Sequence, residues 1–192
     1  MMRSLSRFAI GFSNDPPNVA VGRGKATMTL KELVIDHLEY TFERETWQPP
    51  LAEAVAGLTA VQAAWKPRPA RHSIWQIVRH VTVWKQSVLD GIAGNPQDAD
   101  ALEHSDWPEV SGDDAAWEAD VRTLHEVAGE LKEIALAADE TTMGALVPTV
   151  RDAPSQPLMQ RLLRQATHDI YHAGQIQYLR ALQGASKEAS GR

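Results

Sequence analysis

Thr167-His168-Asp169-Ile170-Tyr171-His172-Ala173-Gly174-Gln175-Ile176 carries two histidines four residues apart, in a run without proline and with helical periodicity on both sides. On an α-helix that spacing stacks the two imidazoles on one face, one turn apart. Gln175, three residues further on, falls on the same face. Two imidazoles so placed can hold one metal ion, provided a third ligand comes from elsewhere in the fold. The plainer reading is a solvated polar face, and the rest of the chain has to decide between them.

The chain has 192 residues, 43% hydrophobic and 23% charged, enough for one globular domain with a real core. Its formal net charge of −6 argues against nucleic acid as a partner, because phosphate binding needs concentrated Lys and Arg. There is no cysteine, which excludes disulfides, zinc–thiolate sites and a protein thiol nucleophile. No apolar run approaches the ~18 residues of a membrane span. A cytoplasmic protein that does not engage membranes is the expectation.

Residues 1–27 differ from the rest, with Asn14-Asp15-Pro16-Pro17-Asn18 as a breaker and glycines at 22 and 24. The apolar stretch there is shorter than the ~7–15 residues of a signal-peptide core, so a disordered leader is expected. Met28 offers a second start before the capping box Thr29-Leu30-Lys31-Glu32. The folded domain is expected over residues 28–185, with a disordered tail over 186–192.

Four long helices are expected. The first runs from Thr29 to about Thr46, with Leu30, Val34, Leu38 and Phe42 on its buried side. Trp47-Gln48-Pro49-Pro50 stops it, since proline breaks the hydrogen-bond ladder. Short helical pieces follow over residues 51–57 and after the capping box Thr59-Ala60-Val61-Gln62. The second long helix opens at the capping box Ser73-Ile74-Trp75-Gln76, buries Ile74, Ile77, Val81, Trp84 and Val88, and is expected to stop at Gly91. The third repeats Trp117, Val121, Leu124, Ala128, Leu131, Ala135 and Ala138 at three and four residues. The fourth spans about residues 158 to 183, closed by Gly184. No strand is expected, so the fold class is all-α, a four-helix bundle. The connection over residues 92–112 exceeds the usual ~2–8 for neighbouring antiparallel helices and leaves room for helices two and three to run parallel.

Spacing alone leaves two candidates for the third ligand: His80, bordering the apolar side of helix two, and His37, between Val34 and Leu38. Either reads equally well as a core histidine bonded to a carbonyl. His72, His104 and His125 read as surface residues. His168-Asp169-x-x-His172 also approaches the His-Glu-x-x-His signature of zinc peptidases. That reading fails, because aspartate is a methylene shorter, no third ligand follows at the required distance, and no edge strand is present to hold a peptide.

The set Ser73-Ile74-Trp75, His80, Trp84, then Asp106-Trp107-Pro108, then His168-Asp169-x-Tyr171-His172-Ala173-Gly174-Gln175-Ile176 resembles the DinB family of metal-binding four-helix bundles, in the same order over about residues 29–184. The resemblance implies that His80, His168 and His172 hold a divalent metal, which selects His80 over His37. It also implies an up-down-down-up bundle and a homodimer. Trp75 and Trp84 read first as core packing. Gln175 is a candidate to bond a ligand or another helix, and Asp169, rotated ~100° from His168, is a candidate to orient a neighbouring group.

Three imidazoles suit zinc or nickel, and also iron, and leave an open coordination position. Two chemistries then compete. In one, the metal ionises a low-molecular-weight thiol and presents it to an electrophile, as relatives that use bacillithiol or mycothiol imply. In the other, it activates water for hydrolysis, with Asp169 as the available base. A third reading is a non-catalytic metal- or ligand-binding protein of stress response.

Overall fold

The computed structural model describes residues 27–184; the expected leader, apart from Thr27, and the expected tail lie outside the described residues. In chain order it forms α1 (Leu30–Phe42), the short helices α2 (Leu51–Val55) and α3 (Ala60–Ala64), α4 (Ile74–Ile92), α5 (Ala99–Asp106), α6 (Asp114–Ala137) and α7 (Glu140–Gly144). A two-residue ladder, β1 (Leu146–Val147) with β2 (Gln156–Pro157), precedes α8 (Leu158–Leu182). The fold is all-α, as expected. The antiparallel β1–β2 pairing corrects the expectation of no strand, and it ends where the chain turns into α8, with the Leu158 amide still donating to the Ala145 carbonyl at 2.9 Å.

The three capping boxes form. Thr29, Thr59 and Ser73 each accept the N3 amide while Glu32, Gln62 and Gln76 reach back to the cap. Each such cap contributes about 1 kcal/mol by satisfying helix-end donors. The long helices α1 and α4 each pack against both α6 and α8. One cluster of buried side chains joins Phe42, Ile74, Trp75, Trp117, Leu124 and Ile176. The other joins Val34, Val88, Leu131, Leu158 and Leu162. The early parts of α4 and α6 thus share a cluster with the late parts of α1 and α8, a distribution compatible with an up-down-down-up order.

Several boundaries differ from the sequence reading. Helix α1 ends at Phe42, not Thr46, because the Glu43 and Arg44 amides both turn back to the Glu39 carbonyl, at 2.9 and 2.7 Å. Leu30, expected on the buried side, is exposed at the first position of α1. The long connection after α4 is not structureless, since α5 occupies its middle. Gly91 does not stop α4. A Cβ there would lie 1.9 Å from the Pro148 carbonyl oxygen, so the glycine serves close backbone approach, and the chain turns instead at Gly94, with φ +79°.

The segment between α1 and α4 is anchored by polar contacts to the long helices. The Arg180 guanidinium donates to the carbonyls of Ala54 and Ala56 at 2.9 and 2.8 Å, satisfying the open end of α2. Asp114 accepts the Ala60 amide at 2.6 Å, and the Trp117 indole donates to the Leu58 carbonyl at 2.8 Å. These bonds hold α2 and the start of α3 against α6 and α8.

Two glycine substitutions separate close approach from helix propensity. Gly91→Ala should destabilise the protein by about 1–3 kcal/mol, because Pro148 must move. Gly129→Ala, in α6 with nothing within 4 Å of the added methyl, should stabilise by about 0.5–1 kcal/mol. Urea denaturation of both variants checks the opposite signs.

Candidate metal centre

The three nitrogens of the centre come from two helices. His168 and His172 lie one turn apart on α8, and His80 faces them from α4. His168 Nε2 is 3.0 Å from His80 Nε2 and 2.9 Å from His172 Nε2. Among the described residues these three form the only group of His, Cys, Asp or Glu side chains whose ligand atoms all lie within 4.8 Å of one another. Tetrahedral coordination at ~2.0–2.1 Å would set neighbouring nitrogens about 3.3 Å apart. The observed pairs are within a few tenths of an ångström of that.

The hydrogen bonds behind the rings test the fit. His80 Nδ1 lies 2.6 Å from Asp106 Oδ1, and His172 Nδ1 lies 2.8 Å from Gln175 Oε1. Each partner is an acceptor, so each Nδ1 carries the proton and each Nε2 presents a lone pair inward. Both lone pairs point at His168 Nε2, which can donate one proton to one of them. A cation satisfies all three at once, and the donor set therefore fits a divalent metal.

Electrostatics agree. Burial first, then the neighbouring His172 and His80, hold the His168 imidazole down to about 3. Burial, then His80, hold His172 down to about 4. Burial also lowers His80, against the upward pull of Asp106. All three are neutral at neutral pH, the form that ligates metal.

The supporting residues trace to local sequence. Asp106 ends α5, and its Oδ1 also accepts the Trp84 indole N–H at 2.6 Å, so Trp84 fixes the carboxylate that fixes His80. The capping glutamine of α4 does two jobs: Gln76 Oε1 accepts the Ser73 amide, and Gln76 Nε2 donates to the Pro108 carbonyl at 3.1 Å. The helix cap thereby holds the turn that carries Asp106 and Trp107. Trp107 stacks on His80, with centroids 3.9 Å apart, and on His72 at 3.8 Å.

Of the candidates from sequence, His80, His168 and His172 come together and Gln175 stands behind His172. His37 does not join them. It is half-buried in α1 beside Tyr40, and its Nδ1 has no hydrogen-bond partner, so it is not the carbonyl-bonded core histidine either. Asp169 points away into the core, where its Oδ2 accepts from Lys85 Nζ at 2.8 Å. His104 is exposed, and His125, also exposed, sits edge-on to Phe42. His72 is exposed but borders the site through Trp107. Trp75 is core, with its indole donating to Asp120, whereas Trp84 is half-buried and serves Asp106. The sequence reading missed Asp106 as a functional residue, although it stood inside the quoted Asp106-Trp107-Pro108 signature. An acid next to a tryptophan and a proline after a short helix was the available signal.

The histidines line a cavity of about 950 Å³ whose walls include Trp65, Arg68, Arg71, Trp107, Tyr171 and Tyr178. No Asp or Glu lines it among the described residues. No helix of the described residues is long and apolar enough to cross a membrane.

A helical fold with three histidines converging at the wall of a cavity defines a protein with a group that could hold a metal ion. The chain belongs to the DinB superfamily, whose sequence model matches residues 44–176. The match spans all three histidines and Asp106, but leaves out α1 and the last turns of α8. Neither a curated protein nor a solved structure matches the chain.

Replacing His80, His168 or His172 by Ala should each remove most of the bound metal measured by plasma mass spectrometry, while His37→Ala should not. Asp106→Asn should keep the fold but weaken metal affinity about 10–100-fold, because the His80 tautomer is no longer fixed. The depressed imidazoles also set an acid limb. In metal-free protein the unfolded chain binds protons to these histidines from about pH 6.5 downward, while the folded chain resists until about 4 for His172 and about 3 for His168. Stability should fall as pH drops through that window, and the melting temperature of His168→Asn should fall less steeply.

Proposed function

We propose that the protein is a metal-dependent transferase that activates a low-molecular-weight thiol for attack on an electrophile. The observation that carries this reading is the composition of the cavity: three neutral imidazoles at its floor, aromatic walls, and no carboxylate. A divalent metal at the histidines supplies the positive charge that keeps a thiol ionised below its free pKa of about 8.5. The thiol must be brought in, because the chain has no cysteine.

The chain's own residues bind and orient. Asp106 and Gln175 hold His80 and His172 in the required tautomer. Trp107, stacked on His80, walls the centre, and Tyr171 and Tyr178 add aromatic surface along the exposed side of α8 for an apolar electrophile. In the transfer the sulfur–carbon bond forms, the electrophile's leaving group departs or its ring opens, and the thiol proton passes to water. Hydrolysis is the weaker reading. It wants a general base within reach of water at the centre, and Asp169, the candidate from sequence, is fully buried against Lys85.

Metal-loaded protein should accelerate conjugation of at least one of glutathione, bacillithiol, mycothiol or coenzyme A to a chlorinated dinitrobenzene or an epoxide. His168→Ala should abolish the metal-dependent rate while circular dichroism stays unchanged. No metal-dependent rate with any thiol would sink the transferase reading and leave a binding role.

A further inference from the structure

The charges of this chain are unevenly placed. From residue 54 to residue 89 there is no Asp or Glu, but there are Lys66, Arg68, Arg71, Arg79 and Lys85, in a protein of net charge −6. Three of these five cations are paired with acids from other parts of the chain. Lys85 bonds Asp169 at 2.8 Å, Arg79 bonds Asp120 at 3.0 Å, and Lys66 lies 3.5 Å from Glu109. Arg68 and Arg71 are the remainder. Neither guanidinium has a hydrogen-bond or ion-pair partner among the described residues, and both line the cavity above the histidines.

Their placement is built by the loop between α3 and α4. Pro67 and Pro69 flank Arg68 and restrict its backbone. The Arg71 amide donates to the Arg68 carbonyl at 3.0 Å, so the two arginines sit on one tight turn. The Ser73 capping box fixes the far end of that loop to α4. A guanidinium left without a carboxylate, in a protein rich in them, adds nothing visible to the fold. Its planar fork is suited to a carboxylate or phosphate, which it can hold through two parallel hydrogen bonds. Two arginines in a concavity fit a small anion and fall short of the extended basic surface that nucleic acid requires.

We infer that Arg68 and Arg71 form an anion subsite, and that the small molecule accepted by the cavity carries a carboxylate or phosphate. Resting on the transferase reading, this narrows the thiol to one with an anionic body, such as a carboxylated peptide thiol or a nucleotide thiol, over one with a neutral sugar body. The thiol end is directed to the histidines and the anionic end to the turn, so the arginines select the molecule while the histidines act on it.

The test measures binding by the full-length protein to probes whose sulfur is blocked or missing, so that it does not depend on turnover. S-methylglutathione supplies carboxylates, desulfo-coenzyme A supplies phosphates, and the S-methyl ether of thioglycerol is the neutral control. Calorimetry should show at least one anionic probe binding more tightly than the neutral one, and the tighter of the two tells which anion the turn prefers. Arg68→Gln or Arg71→Gln should each weaken that probe about tenfold and the double variant about 100-fold, in line with charge-assisted hydrogen bonds. Raising salt should weaken binding to the wild type much more than to the double variant. Arg122→Gln, which removes a cation on the outer face of α6, should change nothing. Both arginines are exposed, so thermal melts should confirm that the variants fold. Equal binding of the best anionic probe to wild type and double variant, or no preference for anionic over neutral probes, would overturn the subsite. Turnover of neutral thiols with anionic ones inert would also overturn it while leaving the transferase reading intact. Arginine-dependent binding with no thiol turned over would keep the subsite and remove the transferase reading.

Discussion

The buried ion pair between Lys85 and Asp169 ties the two histidine-bearing helices together. Lys85 is 1% and Asp169 0% exposed at the side chain, and they meet at 2.8 Å across the α4–α8 contact. Asp169 directly follows His168, and Lys85 lies five residues after His80. With one ~100° step between Asp169 and His168, turning the carboxylate toward Lys85 turns the imidazole toward His80. The pair is expensive to desolvate. Burial pushes the Asp169 carboxyl up, and the Lys85 ammonium pulls it back. Removing one partner alone would leave a charge buried and unmatched, which typically costs about 3–5 kcal/mol, whereas replacing both by apolar side chains is often neutral. Its contribution is therefore geometric more than energetic: it sets the rotation of α8 against α4.

The second layer of constraint is local. Two of the three imidazoles are held from behind by acceptors, so their lone pairs are committed inward before any ligand arrives. That arrangement is costly without a cation, because three nitrogens meet with too few protons between them. The cost is borne by helices that are themselves well packed, since His80 is followed by the fully buried Val81, and Ile176, one turn after His172, is fully buried too. A site built in this way is preorganised, so a metal entering it would find the three nitrogens already gathered.

Periodicity and capping made most of the helices legible. Ser73, Thr59 and Thr29 each start a helix where the hydroxyl-x-x-carboxamide or carboxylate pattern stands, and Gly184 with φ +69° ends the last. Spacing also placed His168 and His172 on one face. Choosing His80 over His37 required more than spacing, since both border an apolar stripe in an amphipathic helix. What stayed hidden depends on contacts between distant segments. Nothing near Lys85 in the sequence marks it as buried, because its partner Asp169 comes from 84 positions away. Gly91 reads as a helix stop because the approach of Pro148 is not written near it. Asp106 and α5 were obscured by a stretch whose single buried apolar residue, Leu102, gives no periodic stripe.

The division of labour between helix and loop follows from these constraints. The histidines stand on α4 and α8, two long helices packed against each other, where a shift would disturb the core. Arg68, Arg71 and Trp65 come from the segment between α2 and α4, which is tied down at its carbonyls by Arg180 and Trp117 and buries Leu58, Ala60 and Ala63, while Arg68 and Arg71 stay exposed. A change in that segment alters what enters the cavity without moving the nitrogens at its floor. The charge pattern sharpens the same point. The acids of this chain lie on other segments and are drawn onto Lys66, Arg79 and Lys85, so folding cancels the positive charge of residues 54–89 everywhere except at the cavity wall. An anion approaching this protein meets repulsion from the net charge over most of the surface. Within a Debye length of about 8 Å of the turn at physiological salt, it meets attraction. The fold thus turns a globally acidic sequence into a local acceptor for acids, next to the one place in the chain where three neutral nitrogens converge.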